Sequence, residues 1–265
     1  MAASSSPSGL GFTARARHAE PVMGTVVSFD VPLSARHDGS LDAAVAWLHW
    51  VDEVFSPYRP DSEVSRLADG AVTVAECVPE MAEVIEACAL AGEMSDGYFT
   101  ASPWGRFDPS GYVKGWSVER AAAILTAAGS ASHLVNGGGD VQCVGSRPGA
   151  SPTPWRVGIA NPLRRGALAL VVEATDCAIA TSGTAERGAH IVNPHTERAA
   201  TGVASVTMAG PSLARADACA TAAFAMGPGL ARDWAESLDG YEAYAITETG
   251  ETWQTSGFGA YIAKD

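Results

Sequence analysis

The stretch Ala214 to Met226, Ala-Arg-Ala-Asp-Ala-Cys-Ala-Thr-Ala-Ala-Phe-Ala-Met, constrains this chain most. It reads as a helix closed by Gly227, and it is small or apolar almost all the way round. A helix of that kind is enclosed by other elements rather than laid on a surface. Asp217 and Thr221 stand four residues apart within it, so a carboxylate lies above a hydroxyl on one face. A buried carboxylate is costly unless paired, so the fold has to bring a partner to it. Two hard oxygen ligands, completed by water and substrate phosphates, suit Mg²⁺. The plainer readings are an exposed polar pair, or a threonine bonding back to its own helix.

The surrounding pattern mixes helices and strands without a regular βαβ alternation, which argues an α+β fold. Val22 to Pro32 alternates as a strand, and Ser40 to about Phe55 carries one apolar stripe of helical period. A polar segment, Asp61 to Arg66, precedes a helix opened by Pro79 and running to about Met94. A third helix is expected from about Ser117 to Ala128. The second half is richer in strands: His133–Val135, Val141–Val144, Trp155–Ala160, Ala167–Ala174, Ala178–Thr181, Val203–Met208, Tyr241–Thr247 and Phe258–Ile262. Besides the helix over 214–226, a short one is expected at Leu230–Leu238. At 265 residues and 47% hydrophobic content, the chain can bury a full core as one domain. We expect residues 1–18, rich in Ser, Ala and Gly, to be a disordered leader and residues 19–265 to form the domain.

A formal net charge of −13, with no basic run longer than Arg164-Arg165, excludes a nucleic-acid or anionic-membrane surface. A small anionic ligand needs only a local cation and a nest of amides, and remains open. The five cysteines are scattered without C-x-x-C spacing and read as buried reduced thiols. The first twenty residues lack the apolar core of a signal peptide, and no run reaches membrane-spanning length. The expectation is a cytoplasmic protein without a membrane anchor.

Lys114 is one of only two lysines in a chain with 15 arginines. It lies in Phe107–Trp116, beside Pro109, Gly111 and Gly115. A compact ammonium there suits a tight phosphate or carboxylate site in a way a planar guanidinium does not; a surface lysine in a turn before a helix is the plainer reading. Asn136-Gly137-Gly138-Gly139-Asp140 follows an apolar strand, and its glycines admit a ligand close to the backbone or simply make a hairpin turn. It is no dinucleotide fingerprint, since no helix follows. Thr181-Ser182-Gly183 and His190 sit in polar loops after strands; His190 is either a base or a structural histidine. Ser182 lies outside any G-x-S-x-G elbow, which speaks against a serine hydrolase. Tyr58, between Pro57 and Pro60, offers a ring for stacking or for packing.

The order of these segments is more informative than any one of them. Met23-Gly24-Thr25, Ser56-Pro57-Tyr58 with Ser62-Glu63-Val64-Ser65, Asp108-x5-Lys114-Gly115, Gly138-Gly139-Asp140, Thr181-Ser182-Gly183, His190-Ile191-x2-Pro194 and Ala216-Asp217-x3-Thr221-Ala222 follow one another. This series resembles the ApbE family of FAD:protein FMN transferases over about residues 21–263. The resemblance implies a single T-fold-related domain of two closely joined lobes, with FAD as substrate in the cleft between them. It implies Mg²⁺, or Mn²⁺ in its place, on Asp217, Thr221 and the Gly111 carbonyl. It implies flavin contacts from Met23, Tyr58, Asp108, Lys114, Gly138, Gly139, Asp140, Thr181, Ser182 and His190, with Ala101, Ser102 and Pro103 lining the cleft. Lys114 and His190 are then the catalytic candidates. The reaction implied moves FMN from FAD onto a threonine or serine hydroxyl of an acceptor protein, an FMN-binding domain or redox-pump subunit, and releases AMP. A Mg²⁺-dependent FAD pyrophosphatase and a non-catalytic FAD-binding protein are the alternatives. Two departures stand out: many relatives are exported lipoproteins whereas this chain shows no export signal, and Trp116 replaces a smaller or tyrosyl residue.

Overall fold

A computed structural model describes residues 14–149, 151–184 and 191–264. The chain begins with a hairpin of β1 (Arg15–Val22) and β2 (Thr25–Pro32), then α1 (Ser34–His37), α2 (Ser40–Phe55), α3 (Glu63–Ala68), α4 (Pro79–Met94) and α5 (Ser110–Ala127). A second hairpin, β3 (His133–Gly137) and β4 (Asp140–Val144), leads to a third, β5 (Trp155–Ala160) and β6 (Leu168–Ala174). There follow β7 (Cys177–Gly183), the short β8 (Val192–Asn193) and β9 (Arg198–Ala199), and β10 (Val203–Gly210). The chain ends with α6 (Leu213–Met226), α7 (Ala231–Glu236), β11 (Glu242–Thr247) and β12 (Thr252–Gln254).

Among the described residues, eight strands form one sheet in the order β1-β2-β3-β4-β7-β10-β11-β12, with antiparallel neighbours throughout. The fold is therefore α+β, as the element pattern implies. Helices α5 and α6 cover one face of the sheet, where Val118, Leu125, Ala178, Ala180, Val206, Met208 and Phe224 join one core. The β5–β6 hairpin covers part of the other, where Val141, Cys143, Ile159, Val172, Cys177 and Ile179 meet Phe258. Sandwiched in this way, β10 is buried along its whole length. A third cluster, with Val51, Phe55, Met81, Phe99, Val113 and Trp116, joins α2, α4 and α5.

Several boundaries differ from the sequence reading. The strand expected over Val22–Pro32 is the second arm of a hairpin whose turn residues, Met23 and Gly24, both have positive φ (54° and 67°), a turn that suits the twist of paired strands. β1 already starts at Arg15, inside the stretch assigned to the leader. Arg15 explains this, since its guanidinium pairs with the Asp30 carboxylate and donates to the Asp30 carbonyl at 2.7 Å and the Ser132 carbonyl at 3.3 Å. The polar segment before Pro79 contains α3, whose N-cap is Ser62, its hydroxyl accepting from Ser65 N–H at 3.1 Å. Helix α5 starts seven residues earlier than expected, at Ser110. The Asp108 carboxylate accepts Ser110 N–H at 3.0 Å, and proline is well placed just ahead of a first turn. The expected strand Phe258–Ile262 is instead a 3₁₀ turn over Phe258–Ala260 with a single bridge from Ile262 to Val172. Among the described residues no helix is long and apolar enough to cross a membrane.

Candidate active site

Glycine at position 115 sets the geometry of the site. A Cβ there would lie 2.6 Å from the Leu213 carbonyl oxygen and 2.8 Å from Asp217 Cβ. The glycine therefore lets α5 and α6 touch backbone to backbone, rather than loosening a turn. Lys114, expected ahead of the third helix, lies within α5 instead. Its neighbours across the seam are fixed by that contact.

The carboxylates of Asp140 and Asp217 flank the Lys114 ammonium. It pairs with Asp140 Oδ2, and Asp217 Oδ1 is 3.5 Å away. Asp140 is fully buried and Asp217 nearly so. Each carboxylate has further work: Asp140 Oδ1 accepts Thr181 N–H at 3.0 Å, and Asp217 Oδ2 accepts Gly115 N–H at 2.9 Å. That amide would ordinarily serve the Gly111 carbonyl four residues back. The Gly111 carbonyl carries two lone pairs and so keeps acceptor capacity beside its helical bonding. One turn along α6, Thr221 Oγ1 lies 3.1 Å from Ser182 Oγ on β7. Gly111 faces the same hydroxyl, since a Cβ on it would stand 3.7 Å from Thr221 Oγ1. Asp217, Thr221, Gly111 and Ser182 thus gather around one end of the α5–α6 seam.

The turn at Gly138 and Gly139 joins this group. Gly138 approaches Thr25 so closely that a Cβ would come within 2.8 Å of Thr25 Oγ1, and Gly139 N–H donates to Asn136 Oδ1 at 2.9 Å. This places the Met23–Thr25 turn against the Gly138–Asp140 turn. The Ser117 hydroxyl ties Met23 to α5, 3.5 Å from its sulfur, while donating to the Lys114 carbonyl at 2.8 Å. Asp108, expected as a flavin contact, caps α5 through its side chain, and its N–H closes the loop on the Ala101 carbonyl at 2.7 Å. The Ala101–Pro103 segment lies within that loop. Tyr58 projects from the α2–α3 connection and is 84% exposed. His190 lies outside the described residues. Ser117 escaped the sequence reading as a site residue, and Gly115 and Asn136 entered it only as members of the Lys-Gly step and the Asn-Gly-Gly-Gly-Asp run.

The donor set suits a hard divalent cation. One positive and two negative side chains leave the cluster with one negative charge to balance, and the oxygens of Asp217, Thr221 and Gly111 are of the kind Mg²⁺ accepts. Among the described residues no three His, Cys, Asp or Glu side chains gather as they would for a softer metal. The cysteines take no part. Burial raises the Cys88 and Cys143 thiols to about 12 and Cys219 to about 11, so they stay protonated and unreactive at neutral pH. All five are free, and Cys77, expected to be buried with the others, is only half-buried.

The profile described as ApbE family matches residues 23–104 and 101–245. An FAD:protein FMN transferase of Rhodobacter capsulatus is 30% identical over 239 residues, 84% of this chain and 42% of that protein. One of the same description from Vibrio cholerae is 30% identical over 217 residues, 77% of this chain and 60% of that protein. The chain therefore spans less than two thirds of the length of these relatives. The crystal structure of the ApbE protein of Thermotoga maritima has a TM-score of 0.84 at 22% identity, covering 95% of this chain and all of that one. The apo form of the Pseudomonas stutzeri flavinyl transferase ApbE gives 0.79 at 23% identity, over 97% of this chain and all of that one. At such identities these two structures speak for the fold alone.

Proposed function

This chain belongs to the ApbE family, and on that premise we propose that it transfers FMN from FAD to a threonine or serine hydroxyl of an acceptor protein. The observation that carries the reading is Lys114 held between two buried carboxylates beside Thr221 and Gly111. Lys114 pairs the buried carboxylates, and the cluster still keeps a net negative charge lined by hard oxygens. It is suited to a pyrophosphate brought in with a cation.

In this reading the acceptor oxygen bonds to the FMN-side phosphorus of FAD. The bond from that phosphorus to the bridging oxygen breaks, and AMP leaves with the electron pair. Positioning and charge neutralisation supply most of the rate in such a transfer. Lys114 offers its ammonium to the phosphate oxygens, with Asp140 and Asp217 fixing where that charge sits. Asp140 also orders the Thr181 backbone, and Ser182 orients the Thr221 hydroxyl. Asp217, Thr221 and the Gly111 carbonyl would hold Mg²⁺ (or Mn²⁺), which when bound would neutralise charge on the departing phosphate. The acceptor proton goes to His190, assigned on the sequence pattern. FAD lies with its ring system toward Met23, Tyr58 and the Ala101–Pro103 loop. We place the reaction in the cytoplasm, with an FMN-binding domain or redox-pump subunit as acceptor.

The test is incubation of the chain with FAD, MgCl₂ and an FMN-binding domain carrying an acceptor threonine. AMP release and the intact mass of the domain are followed together. An FMN-sized, magnesium-dependent mass gain is expected. AMP and free FMN with an unmodified domain would replace transfer by hydrolysis, and intact FAD in every reaction would leave only binding.

A further inference from the structure

Among the described residues, five other than glycine adopt a left-handed backbone: Met23, Asp96, Trp104, Asp176 and Glu197. The aspartates are tolerated there, because a short polar side chain can bond locally. A large apolar side chain in this region is strained, and such strain persists only where the surroundings enforce it. Met23 has those surroundings, in a tight hairpin turn with the Ser117 hydroxyl on its sulfur.

Trp104 does not. Its φ is 59° and it is 68% exposed. Among the described residues its indole joins no core cluster, stacks on no ring and finds no acceptor. The backbone around it is nonetheless braced. Ser102 N–H donates to Thr100 Oγ1 at 3.0 Å and Gly105 N–H to the Ser102 carbonyl at 3.0 Å. Asp108 N–H closes the loop at 2.7 Å, and Arg106 pairs with Asp69 at 2.9 Å. The loop is thus held in a shape that puts an indole into water, and packing gains nothing from it.

The loop's position suggests what does gain. It runs directly into the capped start of α5, the end that carries Gly111 and Lys114. Among the described residues, Tyr58 and Trp104 are the two exposed aromatic side chains. Both loops are tied to α3. On the Tyr58 side, Ser62 Oγ donates to the Ser56 carbonyl at 2.8 Å, and on the Trp104 side Arg106 pairs with Asp69 at its far end. An isoalloxazine ring has two broad faces, and one exposed tyrosine covers a single face.

We propose that Trp104 is a second stacking contact for the isoalloxazine ring of bound FAD, and that its strained backbone is kept for this purpose. The proposal rests on the flavin-transfer reading. Flat ring on flat ring gains from aromatic surface removed from water, and loss of such a contact weakens binding about tenfold.

The experiment titrates FAD, FMN and ADP into the full chain and its Trp104→Gly and Trp104→Phe variants, with melting temperatures measured alongside. Glycine adopts positive φ freely, so Trp104→Gly should melt no lower than the parent chain. It should bind FAD and FMN about tenfold more weakly while ADP binding stays within about twofold. Trp104→Phe, which keeps a ring, should fall between the two. Unchanged FAD affinity in Trp104→Gly, or a loss confined to ADP, would overturn the assignment while leaving the transfer reading intact. A parent chain that binds no FAD would overturn both.

Discussion

Along the seam between α5 and α6 space is scarce: Gly115 has no room for a methyl group, and Asp140 and Asp217 are enclosed around one ammonium. The proposed flavin rim is the opposite: Tyr58 and Trp104 stand mostly in water on loops held by backbone and ion-pair contacts. The seam spends stability on fixing charge, and the rim leaves aromatic surface uncovered. The difference separates two tasks. Charges that act on a phosphate must not move, because electrostatic help at a reacting centre comes from prearranged groups. Surfaces that hold a flat ring need only be present and bare.

The largest effect should come from the seam. Asp217→Asn removes a charge from the proposed metal set, and magnesium-dependent AMP release should fall about a thousandfold. Retained turnover in that variant would detach Asp217 from the metal. Next is the anchor that holds the far end of α5 to the sheet. His133, fully buried, bonds through Nε2 to the Ala122 carbonyl and through Nδ1 to the Ser130 hydroxyl, each at 3.0 Å. Burial lowers its pKa from 6.5 to about 4. The unfolded chain then binds a proton that the folded chain refuses. Stability is complete above pH 6.5 and declines toward pH 4, by about 3 kcal/mol. Urea unfolding across that window should show the slope, and His133→Gln should flatten it; an equal slope in the variant would place its origin elsewhere.

Gly115→Ala tests the packing directly. A methyl group 2.6 Å from a carbonyl oxygen should destabilise the chain by about 1–3 kcal/mol. The same variant should lose AMP release at temperatures where it is still folded. A harmless Gly115→Ala would mean the helices can part without disturbing Asp217. The smallest effect belongs to the rim: Tyr58→Ala should leave the melting temperature unchanged and weaken FAD binding about tenfold. A drop in melting temperature instead would make Tyr58 a structural residue and blur the contrast.

Much of this was legible in the sequence, where local chemistry decides the outcome. The stripe of α2 and the proline opening α4 gave both helices their observed limits, Ser40–Phe55 and Pro79–Met94. The enclosed helix carrying Asp217 and Thr221 is α6, buried on nearly every side. The start of α5 was hidden because Pro-Ser-Gly reads as a turn when its cap, Asp108, and its neighbour α6 are out of sight. The 3₁₀ turn at Phe258 was hidden because an apolar run alone does not distinguish a strand from a plug in the core. At the site, Gly111, Lys114, Asp140, Ser182, Asp217 and Thr221 of the motif series lie together, while His190 falls outside the described residues. The Ser182–Thr221 contact and the need for glycine at 115 depend on distances between distant segments, and Trp104 betrays itself only through its backbone angle.

The most direct test of the seam as the meeting place of metal and pyrophosphate is FAD binding by calorimetry, with and without MgCl₂, for the parent chain and Asp217→Asn. Magnesium should raise FAD affinity in the parent chain and have no effect in the variant. The same magnesium response in both, or none in the parent chain, would contradict the account.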